Sequence, residues 1–350
     1  MAKRLSKNKV VVGISGGVDS AICLDLLLKQ GLDAKAVYIE MARYHSNVSD
    51  DIKSARKVAD LFGVDFEVLD ARELFLGKVV SYFNKELKAG RTPSPCVLCN
   101  PEVKIAVLLK HANSIGAYYV ATGHYARIKQ VDGFFLLRKA KDRLKDQTYS
   151  LCFLSQKHLS RMLLPLGEFT KAEVYRKLGE IKGTKHLVDR KQSQDFCYLG
   201  GIDQSRYCTE SLPYAKGNIV DKTGRILGYH NGMHQFTIGQ RKGIKLAQGP
   251  YYVIAKDIQN NKVIVSKNER DLLKKEVKLF PYNIIGGVAP KRMVVSAKLR
   301  SSQKLKRAIL KKNGKYLILS FYNAQKAITP GQIAVFYKDE ICLGGGVINI

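Results

Sequence analysis

The feature that most constrains this chain is a glycine-rich loop between its first strand and its first helix. A β-branched run at residues 10–12 predicts the strand, and apolar periodicity over residues 20–30 predicts the helix. The loop reads Gly13-Ile14-Ser15-Gly16-Gly17-Val18-Asp19-Ser20. Small residues let the backbone approach a phosphate, and successive N–H groups at a helix N-terminus bind the anion, although a merely tight turn would use similar residues. A Walker A loop is excluded because no lysine precedes Ser20.

The rest of the first half alternates strand and helix signals. Residues 34–39, 66–69 and 118–121 read as strands, and helices are predicted from Ser49 to about Gly63 and over residues 71–88. Strands separated by helices imply a parallel sheet covered on both faces, with ligands at the carboxyl ends of its strands. The fold class expected for this half is therefore α/β.

After about residue 205 the pattern becomes all-β. Residues 217–221 and 225–228 predict one hairpin, and residues 251–255 and 262–266 predict a second. Short alternating strands follow at residues 293–299, 308–310, 316–321, 333–337 and 340–347. These are consistent with a small barrel. We expect a catalytic domain at 1–205, a small central domain at 206–276 and a basic C-terminal β-barrel at 277–350.

The charge balance points to a polyanionic partner. The 350 residues hold 59 Lys and Arg against 30 Asp and Glu, a formal net charge of +29. No acid occurs from Val277 through Lys338, and six basic residues crowd one hairpin of that stretch: Lys304, Lys306, Arg307, Lys311, Lys312 and Lys315. A uniformly lysine-rich composition would not remove acids from one domain. Nucleic acid is therefore the expected partner, bound by the barrel.

Several protein classes are excluded. No apolar run approaches the roughly 18 residues of a membrane span, and no apolar stretch follows the N-terminal basic residues as in a secretion signal. Seven cysteines, an odd number, do not resemble a secreted disulfide scaffold. We expect a cytoplasmic protein without a membrane partner, whose special thiols serve chemistry.

Two cysteine segments are candidates for that chemistry. Cys96 and Cys99 form a Cys-x-x-Cys pair in a loop stiffened by Pro93 and Pro95. Structural zinc would require a second close pair, and the chain has none. Cys197 follows a polar segment, residues 191–195, so we expect its thiol to face a cleft. The remaining cysteines are interpreted as small buried apolar residues: Cys23, Cys152, Cys208 and Cys342.

A wider set of motifs resembles one enzyme family. The loop at residues 15–20, SGGVDS, resembles the pyrophosphate loop of the ATP pyrophosphatases. Further matches occur in order along the chain, at residues 121–126 (ATGHYA), 145–149 (KDQTY), 165–168 (PLGE), 236–243 (FTIGQRKG), 329–332 (TPGQ) and 343–346 (LGGG). Together they resemble the tRNA-specific 2-thiouridylase family, which replaces the C2 oxygen of the wobble uridine with sulfur. The resemblance runs from about Val10 to Ile348.

The resemblance implies roles for particular residues. ATP, with Mg²⁺ at Asp19, would be bound by the loop from Gly13 to Ser20, by Ile39 and by Gly123. Cys99 would be the nucleophile, and Cys197 would carry the persulfide, loaded by a persulfide-carrying donor protein. Ser94, Pro95 and Cys96 would lie beside the target base. Contacts with tRNA are implied for Lys145, Asp146, Gln147, His124, Arg300, Ser301 and Gln332.

One departure from the family pattern leaves an alternative open. Many members have Asp where this chain has Cys96, so no carboxylate base can be assigned there. Cys96, Cys99 and Cys197 could instead ligate a [4Fe-4S] cluster with one open iron. Two rival functions are an adenylating enzyme such as a tRNA lysidine or cytidine-thiolating enzyme, and a basic RNA-binding protein with a degenerate nucleotide site. Neither rival enzyme explains residues 239–242 or the barrel, and intact Ser15, Asp19, Ser20, Cys99 and Cys197 argue against the binding protein.

Overall fold

The first half of the chain forms a parallel sheet. A computed structural model describes residues 5–44, 48–184, 187, 196–212 and 215–349. The first seven strands are β1 (Ser6–Gly13), β2 (Asp33–Glu40), β3 (Phe66–Asp70), β4 (Ala117–Thr122), β5 (Ala126–Val131), β6 (Phe134–Lys139) and β7 (Met162–Leu163). The sheet has the order β3-β2-β1-β4-β7 with parallel pairing throughout. The predicted strands and their parallel arrangement are confirmed.

Helices connect these strands and continue beyond them. They are α1 (Val18–Lys29), α2 (Ser49–Leu61), α3 (Arg72–Phe75), α4 (Ser81–Lys88), α5 (Pro95–Cys99), α6 (Ala106–Ile115), α7 (Gln156–Leu159), α8 (Lys171–Gly179) and α9 (Gln204–Ser211). Two π-helical turns, Leu76–Val80 and Asn100–Ile105, join α3 to α4 and α5 to α6. The long helix predicted at 71–88 is therefore continuous but widened at its centre.

Alternate residues of β1 face two different cores. Val10 and Val12 pack in the cluster that contains the buried face of α1, whereas Val11 packs in the cluster that contains Leu108 of α6. A strand covered on both faces reads as a continuous apolar run, which is the signal in the sequence at residues 10–12. Because helices cover both faces of the sheet, a ligand can approach it at the carboxyl ends of the strands.

A small four-stranded sheet follows the first domain. Its strands are β8 (Gly217–Val220), β9 (Ile226–His230), β10 (Tyr252–Asp257) and β11 (Lys262–Ser266), in the order β10-β11-β8-β9. Both predicted hairpins are present as antiparallel pairs. Val253, Val263 and Val265 are fully buried in its core.

The C-terminal strands close into a barrel. They are β12 (Leu273–Ile284), β13 (Arg292–Lys298), β14 (Lys306–Asn313), β15 (Tyr316–Lys326), β16 (Ile333–Lys338) and β17 (Ile341–Asn349). Their order is β12-β15-β14-β13-β16-β17, and pairing of β12 with β17 closes the ring. The predicted barrel is confirmed, and none of the described helices is long and apolar enough to cross a membrane.

Two features of this region are absent from the sequence prediction. Strand β12 is long but mostly exposed and charged at its start, so it carries little strand signal. The hairpin β5–β6 belongs to the first half of the chain, yet β6 pairs with β17 and extends the barrel sheet. The catalytic domain and the barrel therefore share one continuous sheet.

Candidate active site

The glycine-rich loop lies where β1 ends and α1 begins. The hydroxyl of Ser20 accepts a hydrogen bond from the Ser15 N–H at 3.1 Å and donates one to the Gly17 carbonyl at 2.9 Å, which fixes the loop. Gly16 has φ +72°, a conformation that favours glycine. Gly17 precedes α1 and offers no side-chain cap, so the first turn of the helix is suited to receive an anion.

Gly123 packs directly against this loop. It follows β4, which is the neighbour of β1, with Gly13 in register with Thr122. A Cβ placed on Gly123 would lie 3.0 Å from the carbonyl carbon of Asp19 and 3.2 Å from the amide nitrogen of Ser20. The two segments that the resemblance assigns to ATP are therefore in backbone contact.

Asp19 is held by two side chains that the sequence analysis did not identify. The Tyr125 hydroxyl and the Lys171 ammonium both donate to Asp19 Oδ1 at 2.7 Å. The Lys171 side chain is 12% exposed, and Asp19 remains one-third exposed. Lys171 is the first residue of α8, and Thr170 and Glu173 form a capping box at the N-terminus of this helix. The T-x-x-E spacing reveals the helix start, but only the fold shows that Lys171 reaches Asp19.

The donor set around Asp19 fits ATP with Mg²⁺. Within the described part of the chain, both hydrogen bonds to this carboxylate use Oδ1, and Oδ2 is the remaining oxygen. A carboxylate oxygen beside a phosphate-binding helix N-terminus is a usual arrangement for Mg²⁺ with a nucleotide. Asp19 would hold the ion, and Lys171 adds a positive charge at the same place.

Ile39 lies between the carboxyl end of the parallel sheet and the cysteines. It lies at the carboxyl end of β2 and is half-buried. It packs against the apolar cluster under β4 and also against the cluster that contains Cys99. The position that the resemblance assigns to ATP therefore borders the cluster that contains Cys99.

Cys99 and Cys197, 98 residues apart in sequence, meet in one apolar cluster. Cys99 is buried and Cys197 is half-buried, and both pack with Phe75, Val79 and Phe196. Cys96, one turn before Cys99, is exposed. All seven cysteines lie in described residues, and each is a free thiol. Cys23, Cys152, Cys208 and Cys342 are buried, as the sequence predicts.

Lys104 is a further residue that the sequence analysis missed. It lies in the π-helical turn after Cys99, and its ammonium interacts electrostatically with Cys99, Cys197 and Cys96. Burial alone would lower the pKa of Lys104, but those sulfurs raise it above its usual value. In turn, burial raises the pKa of the Cys99 thiol to about 12, and the Lys104 charge opposes that rise. π-helical turns often occur at functional sites.

An aromatic cluster fixes the turn that carries Cys197. The short 3₁₀ turn Cys197–Leu199 follows Phe196 and contains Tyr198. These two aromatic rings contact Phe75, Phe83 and Tyr207. The Tyr44 N–H donates to the Tyr198 carbonyl at 2.7 Å. Residues 191–195, the polar approach to Cys197, lie outside the described residues.

Asn100 directly follows Cys99 in sequence, and His124 directly follows Gly123. The Asn100 amide donates to the Ser150 carbonyl at 2.8 Å, which ties the turn after Cys99 to the segment after Gln147. His124 Nδ1 lies 2.7 Å from Thr122 Oγ1. Burial, with a smaller effect of the Lys104 charge, lowers the pKa of His124 to about 3, so the imidazole is neutral at physiological pH.

The segment implied to lie beside the target base touches the barrel. Ser94 donates to the Gln332 side chain at 3.3 Å, and Gln332 donates to the Thr92 carbonyl at 3.1 Å. Pro95 is buried at the start of α5. Arg300 donates to Thr329 Oγ1 at 2.6 Å and lies 3.4 Å from the Ile238 carbonyl. Ser94, Gln332 and Arg300 thus lie at the junction of the three expected domains.

The residues Lys145, Asp146 and Gln147 have separate environments. Lys145 is exposed, whereas the Asp146 carboxylate accepts bonds from the Ala140 N–H and the Thr148 hydroxyl. The Gln147 side-chain carbonyl accepts a bond from the Tyr125 N–H at 2.8 Å. Because Tyr125 also bonds Asp19, this segment supports the ATP loop. Ser301 is exposed, as are the six basic residues of the barrel hairpin: Lys304, Lys306, Arg307, Lys311, Lys312 and Lys315.

Comparison with known proteins covers nearly the whole chain. Family models match in three consecutive segments: a tRNA methyl transferase HUP domain at residues 8–201, a tRNA methyl transferase PRC-barrel domain at 205–267 and an aminomethyltransferase beta-barrel domain at 274–348. The chain is 39% identical over 363 residues to a tRNA-specific 2-thiouridylase of Clostridium perfringens, with 99% of each chain covered.

Two further relatives agree. A tRNA-specific 2-thiouridylase of Treponema denticola is 38% identical, covering 97% of this chain and 98% of the relative, and one of Carboxydothermus hydrogenoformans is 39% identical, covering 99% and 98%. Among solved structures, a 4-thiouridine synthetase–RNA complex with bound ATP matches at 17% identity and a TM-score of 0.37, covering 54% of this chain and 44% of that one. The distant structural match adds nothing to the assignment.

Proposed function

This chain belongs to the tRNA-specific 2-thiouridylase family, and we propose that it uses ATP to replace the C2 oxygen of the wobble uridine of tRNA with sulfur. The observation that carries the proposal is that Cys99 and Cys197 lie in one apolar cluster. Ile39, at the carboxyl end of β2, packs against the same cluster and connects it to the expected ATP site. An RNA-binding protein with a degenerate nucleotide site would have no reason to keep this arrangement.

The first step that we propose is adenylation of the uridine. The C2 carbonyl is amide-like and has no leaving group, so its oxygen must first be activated. That oxygen attacks the α-phosphate of ATP, pyrophosphate departs, and AMP becomes the leaving group at C2. The loop from Ser15 to Ser20 would bind the departing pyrophosphate at the N-terminus of α1. Asp19 would hold Mg²⁺, which neutralises phosphate charge, and Lys171 would add a second cation.

The second step is sulfur transfer from a persulfide on Cys197. The terminal sulfur attacks C2, and AMP leaves with the original oxygen. The Cys99 thiolate then attacks the Cys197 sulfur and breaks its bond to the transferred sulfur, which remains on C2 as the thiocarbonyl. The product is a Cys99–Cys197 disulfide, which an external thiol must reduce. A donor protein that carries a persulfide would reload Cys197.

Lys104 gives this chemistry its electrostatic support. Cys99 is a poor thiolate because burial disfavours its charge. The Lys104 ammonium interacts with both reacting cysteines, and at Cys99 it opposes the rise in pKa that burial causes. His124 is neutral and therefore adds no competing cation beside the adenylated base.

Cys96 is not required in this scheme. As placed, the described residues do not form a group of three His, Cys, Asp or Glu side chains arranged to hold a metal ion. Cys96 is exposed, whereas Cys99 is buried. We therefore derive no step through a [4Fe-4S] cluster on Cys96, Cys99 and Cys197, and iron analysis tests that alternative directly.

We propose that tRNA lies across the junction of three domains, with boundaries at 1–205, 206–276 and 277–350. The exposed basic hairpin of the barrel would bind phosphates, and Ser94, Gln332 and Arg300 would line the approach to the base. Lys145 and Ser301 are exposed and would also be available to tRNA. Such an enzyme would act in the cytoplasm, where tRNA and reducing thiols are available.

The experiment is mass spectrometry of tRNA nucleosides after incubation with enzyme, ATP and a sulfur source. The proposal expects 2-thiouridine at the wobble position, and Asp19→Ala should abolish it while tRNA binding persists. ATP–pyrophosphate exchange with and without tRNA separates this enzyme from a binding protein. An Asp19→Ala enzyme with normal turnover would refute the role of the loop.

A further inference from the structure

A basic cavity of about 390 Å³ lies between the catalytic domain and the barrel, apart from the ATP loop and the thiols. The residues that matter in its lining are Lys139, Arg143, Lys298, Tyr337, Asp146 and Glu340. We infer that this cavity binds one backbone phosphate of the RNA substrate and thereby fixes the tRNA across the two domains. The inference rests on the proposed function only in taking RNA as the substrate.

Both lysines of the lining have their ammonium groups near the ring of Tyr337. Lys139 ends β6, and its ammonium donates to the Asp339 carbonyl at 2.8 Å. Lys298 ends β13, and its ammonium donates to the Ser301 carbonyl at 3.2 Å. The two ammonium groups lie 4.7 and 6.0 Å from the centroid of the Tyr337 ring. Each ammonium has three donors, so each retains donors for a ligand.

The acids in the cavity are already engaged. Glu340 forms ion pairs with Arg127, Arg138 and Arg143. Asp146 accepts bonds from the Ala140 N–H and the Thr148 hydroxyl. Among the described residues, no salt bridge is found to Lys139 or Lys298. Asp146 also acts electrostatically on both lysines. Three cations nevertheless face two carboxylates in the lining, so the cavity keeps an excess of positive charge.

Like charges reinforce this conclusion. Burial lowers the pKa of Lys139, the nearby charges of Arg143 and Lys298 lower it further, and the Asp146 carboxylate only partly opposes these effects. Burial likewise lowers the pKa of Lys298. An anion with several oxygens would relieve this repulsion and accept bonds from both lysines, whereas an apolar ligand would not.

The position of the cavity favours RNA over a free anion. One wall comes from the loop that leads to Lys145, and the other from the strand that leads to Ser301, both implied tRNA contacts. In the chain between the lining residues Arg143 and Asp146, Leu144 is 96% exposed, and its N–H donates to Asp142 Oδ1 at 3.0 Å. A fixed, fully exposed Leu beside a basic cavity suits contact with a sugar or base next to the bound phosphate.

The test is the salt dependence of tRNA binding by the full chain. Lys298→Gln and the double variant Lys139→Gln/Lys298→Gln should weaken binding by about tenfold near physiological salt. The slope of log K against log salt should become shallower by roughly 0.7 to 0.9, the value for one phosphate. Lys298→Arg should restore both. Lys53→Gln/Lys57→Gln, which removes two exposed charges from α2, should change neither by this amount.

The outcomes separate this inference from the proposed function. A wild-type slope and affinity in both Lys298→Gln and the double variant would overturn the phosphate site, even if the wild type thiolates tRNA. If the wild type fails to thiolate but the slope changes as expected, the site stands without the function. Calorimetry with inorganic phosphate gives the last distinction. Tight binding of phosphate that is lost in Lys298→Gln, with no change in the tRNA slope, would assign the cavity to a free anion and overturn the inference.

Discussion

Gly123→Ala tests whether β4 and the glycine-rich loop form one ATP site. The new Cβ would lie 3.0, 3.1 and 3.2 Å from the carbonyl carbon and oxygen of Asp19 and the amide nitrogen of Ser20. All three are backbone atoms, so no flexible side chain can move away. Ordinary contact begins at about 3.4 Å, and the loop must therefore shift by a few tenths of an ångström, at a cost of about 1–3 kcal/mol.

The shift moves the phosphate-binding backbone, so the expected loss is in ATP use. We expect ATP–pyrophosphate exchange to fall by roughly 10- to 100-fold, since small displacements of reacting groups have effects of this size. Gly179→Ala is the matched control, because nothing lies within 4 Å of its new Cβ in α8. It should leave exchange unchanged. Wild-type exchange and an unchanged ATP KM in Gly123→Ala would refute the contact.

Three further predictions concern charges in the described structure. Lys104→Met should slow alkylation of Cys99 by iodoacetamide at about pH 8, because the Lys104 charge normally limits the rise in the pKa of this thiol. Lys104→Arg keeps the charge and should not slow alkylation. Equal rates in the wild type and both variants would contradict the role of Lys104. Reversing Lys306 and Arg307 to Glu should flatten the salt dependence of tRNA binding, and an unchanged slope would make the basic hairpin a mere solubility surface. Burial raises the pKa of the Cys342 thiol to about 12 in the folded protein, whereas an ordinary thiol has a pKa near 8.5. Above about pH 8.5 the thiol therefore loses its proton in the unfolded chain but keeps it in the folded one, and the free energy of unfolding falls as pH rises. In Cys342→Ala, the fall in denaturation midpoint between about pH 7 and pH 9.5, measured with reductant, should be smaller; an equal fall would disprove the linkage.

Local signals were enough to predict most of the fold. The β-branched run at residues 10–12 is continuous because both faces of β1 are covered, and the hairpins β8–β9 and β10–β11 have turn residues at fixed positions. Strand β12 carries too many exposed charges to be recognised. The pairing of β6 with β17 joins segments about 200 residues apart, and no local pattern encodes that contact.

The residues of the candidate site also fall into two groups, those that a local sequence pattern reveals and those that only the fold reveals. The ATP loop and the Cys-x-x-Cys pair stand out because their chemistry depends on residues that are close in sequence. Lys171 and Lys104 do not, since their significance lies in reaching Asp19 and Cys197 across the fold. The basic cavity is likewise assembled from β6, β13 and β16, each of which looks like an ordinary strand by itself.

The most direct test of the central claim is the anaerobic thiolation activity of Cys96→Ala, with iron measured on the same preparation. The account holds that Cys99 and Cys197 perform sulfur transfer without Cys96. It predicts a colourless Cys96→Ala enzyme that forms 2-thiouridine in tRNA by mass spectrometry, whereas Cys99→Ala and Cys197→Ala form none. A brown, iron-bearing wild type that loses both iron and thiolation in Cys96→Ala would contradict it.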